Sequence, residues 1–226
     1  MTASVDVSDL YRMESEPALV PHRFRRPLHL VLDGAVPSSF EAEVGPWLHA
    51  QRLHFLRAGD EEGRGRFAWE FDHVDQANAE LFAKLRAKIV ERLPEALEAC
   101  AVPEFELEGV EMHASVYHHL GHYTWHEDLE SADDRRRLAF AYYLRTDPTM
   151  FKGGELEFLD GTAIEPASGR LVFFHPLQPH RVRPVECWSA ELIHGRWAIH
   201  GWVLGAPPPG FAERYERLRQ PVSEES

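Results

Sequence analysis

Cysteine is scarce in this chain. Only Cys100 and Cys187 occur among 226 residues, far apart and in no CxxC pair. That disfavours a disulfide framework and a thiolate zinc site, and a cytoplasmic location is the expectation. No apolar run approaches the ~20 residues that a membrane span needs, and the opening MTASVDVSDLYRMESE lacks the charged-then-apolar order of a signal peptide. No membrane partner is expected. Basic residues are outnumbered, with 24 Lys and Arg against 37 Asp and Glu, a net charge of −13. A general nucleic-acid binder needs a basic face to displace counterions, so nucleic acid is not an expected partner. There is no internal repeat.

What is present suits one globular domain. At 25.9 kDa the scaling of surface with mass gives ~10,500 Å² folded against ~38,000 Å² unfolded, enough burial to fold without a staple. Residues 1–27 read as a polar arm broken by Pro17, Pro21 and Pro27. Leu28–Leu32 reads as a strand ended by Asp33-Gly34. Ser38 or Ser39 can cap a helix reaching about Leu56, with Phe40, Val44, Leu48 and Leu53 at roughly helical spacing. Gly59–Arg66 reads as a solvated loop and Trp69–Phe71 as a short strand. From Asp75, the stripe Leu81, Leu85, Ile89 and Leu93 predicts a helix, and Pro94 ends it or opens a second one to Cys100.

After Pro103 the character changes. Phe105–Val116, Leu138–Leu144, Glu155–Leu159, Thr162–Glu165, Leu171–Phe174 and Trp197–Val203 are short runs rich in β-branched and aromatic residues. Turn signals such as Asp160-Gly161 separate them. Strands at this spacing predict a sandwich or barrel. The expected organisation is a single structural domain, mainly β with a helical buttress (α+β). Residues 1–104 form the arm and helical support layer, 105–204 the β core, and 205–226 a C-terminal tail.

The fourteen histidines peak in the stretch Tyr117-His-His-Leu-Gly-His-Tyr-Thr-Trp-His126-Glu127-Asp128. On a strand, residues i and i+2 share a face, so His126 and Asp128 can chelate one divalent cation. Fifty-two residues later the chain offers a third ligand, His180, which opens the extended run His180-Arg-Val182, or its rival His175. Pro184 limits that run to an edge position or a brief strand. Two imidazoles and one carboxylate occupy one face of an octahedral ion and leave the other open, which suits Fe(II). Arg196 begins the strand Arg-Trp-Ala-Ile-His-Gly-Trp202. If it faces inward it needs an anion, because an unpaired buried guanidinium is costly. Either a dicarboxylate ligand or an internal salt bridge would serve. Tyr123, Trp125, His200 and Trp202 are candidates for a substrate pocket. His113, His118, His119 and His122 read as strand-end or surface groups, and Glu130–Arg137 as a solvated turn.

Over about Met112–Leu204 the sequence resembles the Fe(II)- and 2-oxoglutarate-dependent dioxygenases, and within them the prolyl 4-hydroxylase-like branch. His126, Asp128 and His180 match the metal motif HxD…H. Arg196 matches the residue that pairs with the distal carboxylate of 2-oxoglutarate, Tyr143 the tyrosine that helps hold it, and Tyr117 a tyrosine lining that pocket. Lys152-Gly153-Gly154-Glu-Leu matches a GGxL turn and strand. The 16 residues from His180 to Arg196 imply an insertion around Cys187–Leu192.

The resemblance implies a double-stranded β-helix (jelly-roll) core, with Fe(II), the cosubstrate 2-oxoglutarate, O₂ and ascorbate as reductant. It implies hydroxylation of an unactivated C–H, of a prolyl or other amino-acid side chain, in a peptide or free. Asp128 favours hydroxylation over halogenation, since a carboxylate-free position would leave room for a halide. Alternatives are a tailoring oxygenase acting on a small molecule or ribosomal peptide, a cupin-like metal enzyme without 2-oxoglutarate, and a non-catalytic jelly-roll binding module.

Overall fold

A computed structural model describes residues 28–51, 56–57, 66–70, 76–144 and 150–219. The N-terminal part holds β1 (His29–Asp33), α1 (Ser38–Ala50), β2 (Leu56–Arg57), β3 (Arg66–Glu70), α2 (Gln76–Glu91) and α3 (Leu93–Ala99). The strand-rich part runs β4 (Leu107–Tyr117), β5 (Tyr123–His126), β6 (Arg136–Leu144), β7 (Phe151–Gly153), β8 (Leu156–Phe158), β9 (Ala163–Ile164), β10 (Arg170–Phe174), β11 (His180–Val182), β12 (Val185–Cys187) and β13 (Arg196–Gly205). A C-terminal helix, α4 (Phe211–Arg219), follows. The helix expected to reach Leu56 stops at Ala50, and Leu56 lies in a strand. Neither serine caps α1. Pro37 holds the cap position, and its carbonyl accepts from the Phe40 N–H.

A large sheet is ordered β1-β10-β6-β13-β4-β3-β2. Facing it are a four-stranded sheet, β5-β11-β8-β9, and the pair β12-β7. All pairings are antiparallel. This is the jelly-roll core. Three strands of the N-terminal part complete the large sheet, so that part does more than support it from behind.

Side-chain alternation sorts the two faces of the large sheet. On β6, Leu138, Phe140, Tyr142 and Leu144 pack with the helices, whereas Ala139, Ala141 and Tyr143 face the smaller sheet. On β13, Trp197, Ile199 and Val203 take the helical side and Ala198 the interior. Phe40, Val44 and Leu48 of α1 and Phe82, Leu85 and Ile89 of α2 complete the outer core. Each such side chain contributes roughly 1.5–3 kcal/mol when fully buried. On the interior face Ala139, Ala141 and Ala198 stand beside Tyr143, and the three alanines leave room for a cavity.

Candidate metal centre and cosubstrate pocket

The cavity between the sheets has a volume of about 530 Å³. It is lined by His126, at the end of β5, Asp128 just beyond it, and His180, which opens β11 directly opposite His126. Their donor atoms all lie within 4.8 Å of one another. Asp128 Oδ1 is 3.8 Å from His126 Nε2 and 3.9 Å from His180 Nε2. The rival ligand His175 is outside this group, and its Nδ1 accepts the Leu177 N–H instead.

Both imidazoles are oriented by the main chain. His126 Nδ1 meets the Thr124 carbonyl at 2.9 Å and His180 Nδ1 meets the Gln178 carbonyl at 2.9 Å. A carbonyl can only accept, so each Nδ1 carries the proton and each Nε2 keeps its lone pair. Burial lowers the His180 pKa to about 4, against the pull of the Gln178 carbonyl, so the ring is neutral at physiological pH. Burial raises the Asp128 carboxyl above its ordinary range, opposed by His126, the Trp202 indole hydrogen bond and Arg136. A buried carboxylate grouped with two imidazole nitrogens is a ready set of ligands for a divalent cation. The donor set, two nitrogens and an oxygen without thiolate, fits Fe(II).

Arg196 lines the same cavity and is only 3% exposed. Its Nε donates to the Gly154 carbonyl at 3.0 Å. Its guanidinium sits 5.1 Å from the Tyr117 ring centroid and 4.8 Å from that of Tyr143. Among the described residues no carboxylate comes within 4.0 Å of it, so the internal salt bridge is not what this arginine forms there. The Tyr143 hydroxyl is also buried and meets no partner at hydrogen-bonding geometry, although the guanidinium is near. Burial keeps that hydroxyl neutral, with a raised pKa that Arg196 only partly offsets. A buried guanidinium beside a phenol hydroxyl in the same cavity suits a carboxylate, which is the distal group of 2-oxoglutarate.

The Gly153-Gly154 turn explains its own composition. Gly154 has φ +73, and a Cβ there would meet Arg196 Cγ at 3.1 Å. A Cβ on Gly153, at φ +78, would meet the Pro184 carbonyl oxygen at 2.3 Å. Only glycine allows that backbone and that approach.

Tyr123, Trp125, His200 and Trp202 all line the cavity. Trp125 also turns outward, with Arg181 4.7 Å from its ring. His113 departs from its surface reading: it is buried, bonds Glu111 Oε1 at 2.7 Å and stacks on His200. The charged stretch 130–137 is likewise not all solvated turn. Arg136 begins β6, lies 4.3 Å from the Trp202 ring and donates to the Asp128 carbonyl at 2.6 Å. The stretch Cys187–Leu192 runs from the end of β12 to a 3-10 turn at Leu192–His194, and its Trp188 is 58% exposed. Pro184 does not leave β11 at an edge, because β5 and β8 flank it.

Residues 112–204 match the family model described as the 2OG-Fe(II) oxygenase superfamily. An uncharacterized PKHD-type hydroxylase of Synechocystis is 28% identical over 137 residues, covering 54% of this chain and 45% of that relative. The chain thus spans under half the length of that relative. Among solved structures, a Pseudomonas putida prolyl-4-hydroxylase superposes with a TM-score of 0.60 at 22% identity, covering 78% of this chain and 92% of that one. A Trichoplax adhaerens prolyl hydroxylase, in complex with a hypoxia inducible factor peptide, gives 0.60 at 19% identity over 85% and 87%. These two likenesses are likenesses of fold. The resemblance of the strand-rich core to the Fe(II)- and 2-oxoglutarate-dependent oxygenases is thereby borne out over residues 112–204.

Proposed function

We propose that this chain is a non-haem Fe(II)- and 2-oxoglutarate-dependent dioxygenase. It hydroxylates an unactivated C–H, on a prolyl or other amino-acid side chain in a peptide or free. The observation that carries the proposal is Arg196, a buried guanidinium with no carboxylate within 4.0 Å among the described residues, in the same cavity as the His126, Asp128 and His180 cluster.

His126, Asp128 and His180 would hold the iron. Arg196 and Tyr143 would bind the distal carboxylate of 2-oxoglutarate, with Tyr117 packed on the guanidinium. When bound, iron with 2-oxoglutarate and O₂ supplies the oxidising power, giving succinate and CO₂ and placing one oxygen atom in the substrate. The chain's part is to bind, orient and exclude water. The Thr124 and Gln178 carbonyls hold both imidazoles with Nε2 inward. Trp202 and Arg136 hold Asp128 from its carboxylate and carbonyl sides. Tyr123, His200 and Trp202 would form the substrate wall. Ascorbate would keep the metal reduced, and two free buried cysteines suit a cytoplasmic enzyme. The same reading treats the chain as one structural domain, with 1–104 and 205–226 serving the core 105–204.

The test is turnover. With Fe(II), ascorbate and 2-oxoglutarate, a panel of prolyl peptides and free amino acids is screened for succinate release coupled to O₂ uptake. His126→Ala should abolish both. Succinate release that persists in that variant would refute the proposal.

A further inference from the structure

We propose that Glu157 is a positioning residue for the metal, holding the strand that presents His180 at its proper distance from His126. The inference rests on the reading of His126, Asp128 and His180 as metal ligands.

Glu157 lies between Leu156 and Phe158, which both face the inter-sheet core, so alternation turns it to the outer face of the small sheet. An outward carboxylate on a three-residue strand would ordinarily be wet. This one is 6% exposed. It is covered by two arginines of the neighbouring segment. Arg181 Nε donates to one oxygen at 2.5 Å and an Arg183 nitrogen to the other at 2.5 Å. Arg181 stands directly opposite Glu157 in the ladder, and its guanidinium lies against the Trp125 ring of β5. One side-chain chain, Trp125–Arg181–Glu157–Arg183, therefore ties together β5, β11 and β8.

Those are the strands on which the histidines depend. His126 closes β5 and His180 opens β11 as its partner. The main-chain ladder that holds β11 between β5 and β8 is short. The strand has three residues, its register against β5 shifts between His180 and Val182, and Pro184 follows. On the inner side His180 packs on Phe174, ring to ring at 4.6 Å, and apolar contact of this kind tolerates sliding. Two hydrogen-bonded guanidinium groups on one carboxylate fix direction and distance in a way that packing does not. Arg181 is the next residue after His180, so a slip of the staple would move the ligand itself.

The test uses the full metal-free chain and Co(II) as probe, with the dissociation constant measured by titration calorimetry and thermal stability measured in parallel. Wild type should bind Co(II). Direct hydrogen-bond partners of ligands are worth ~10–100-fold in affinity, so Glu157→Gln, one step removed, should weaken binding by about tenfold. The control is Asp33→Asn, which breaks a two-pronged carboxylate–guanidinium pair to Arg170 between β1 and β10, more exposed than that of Glu157. It should lower the melting temperature and leave Co(II) affinity unchanged. If Glu157→Gln does not fold, Arg181→Lys, which keeps the charge but loses the planar contact with Trp125, should show the same loss in milder form. Binding by the staple variant within about twofold of the Asp33→Asn control would overturn the inference and leave the triad standing. Failure of wild type to bind Co(II) would overturn the triad itself.

Discussion

Tyr143 shows what a single residue reveals about the site. Its hydroxyl is buried and meets no partner at hydrogen-bonding geometry. An unmade buried hydrogen bond costs roughly 1–3 kcal/mol. Removing the hydroxyl should therefore not harm the ligand-free protein. Tyr143→Phe is expected to melt at the wild-type temperature or slightly above it, while its affinity for 2-oxoglutarate falls. Scanning calorimetry and cosubstrate titration of the Fe(II) form check the two halves, and unchanged affinity would remove Tyr143 from the pocket. Gly154→Ala gives a complementary result. The added methyl is strained at φ +73 and presses on the Arg196 stem, so 2-oxoglutarate binding should weaken while Co(II) affinity stays. A loss of both would place the damage elsewhere. The His126-x-Asp128 spacing and Arg196 were readable in the sequence because each is a local pattern. His113 and Arg136 were not, because their meaning comes from neighbours on other strands, His200 for one and Trp202 for the other.

At the scale of elements, β6 separates stability from function. Leu138 is fully buried on the helical side, whereas Ala141 faces the cavity. Leu138→Ala should cost ~2–5 kcal/mol by opening a void and leave cosubstrate affinity intact in the folded fraction. Ala141→Leu should do the reverse, filling the cavity floor at little cost to folding. Denaturant titration paired with 2-oxoglutarate binding separates them. The ion-paired strand β8 adds a pH dependence. Burial raises the Glu157 carboxyl, but hydrogen bonds from Arg183 and Arg181 outweigh it and hold it below the ordinary range. A depressed carboxyl stabilises the fold above its unfolded pKa of about 4.3, and that stability is lost as pH falls through the lower folded value. The melting temperatures of wild type and Glu157→Gln should therefore differ at neutral pH and converge in acid, and a gap that widened in acid would contradict the assignment. Long apolar runs such as β6 and β13 announced themselves in the sequence. The pair β7 and β12 did not, since three-residue strands have no period to display and exist only through each other.

For the whole molecule, the seven-stranded sheet is both the wall of one core and the floor of a cavity. Helices α1 and α2 seal its outer face with large side chains, and Ala139, Ala141 and Ala198 on the inner face leave the space that the four-stranded sheet closes. Among the described residues no helix is long and apolar enough to cross a membrane. The layout of helices before strands was legible from the change of periodicity near Pro103. The joining of β1, β2 and β3 to the large sheet was not, because strand partners far apart in sequence leave no local mark. One cavity offers Arg196 and three metal-ligand side chains, so the central claim is that one molecule of 2-oxoglutarate reaches both. The most direct measurement is anaerobic addition of Fe(II) and then 2-oxoglutarate, read as the weak visible metal-to-ligand charge-transfer band. The account predicts the band in wild type, its loss in His180→Ala at any cosubstrate concentration, and its return in Arg196→Ala only at much higher 2-oxoglutarate. A wild-type protein that takes up Fe(II) yet shows no band, or an Arg196→Ala variant that titrates like wild type, would contradict it.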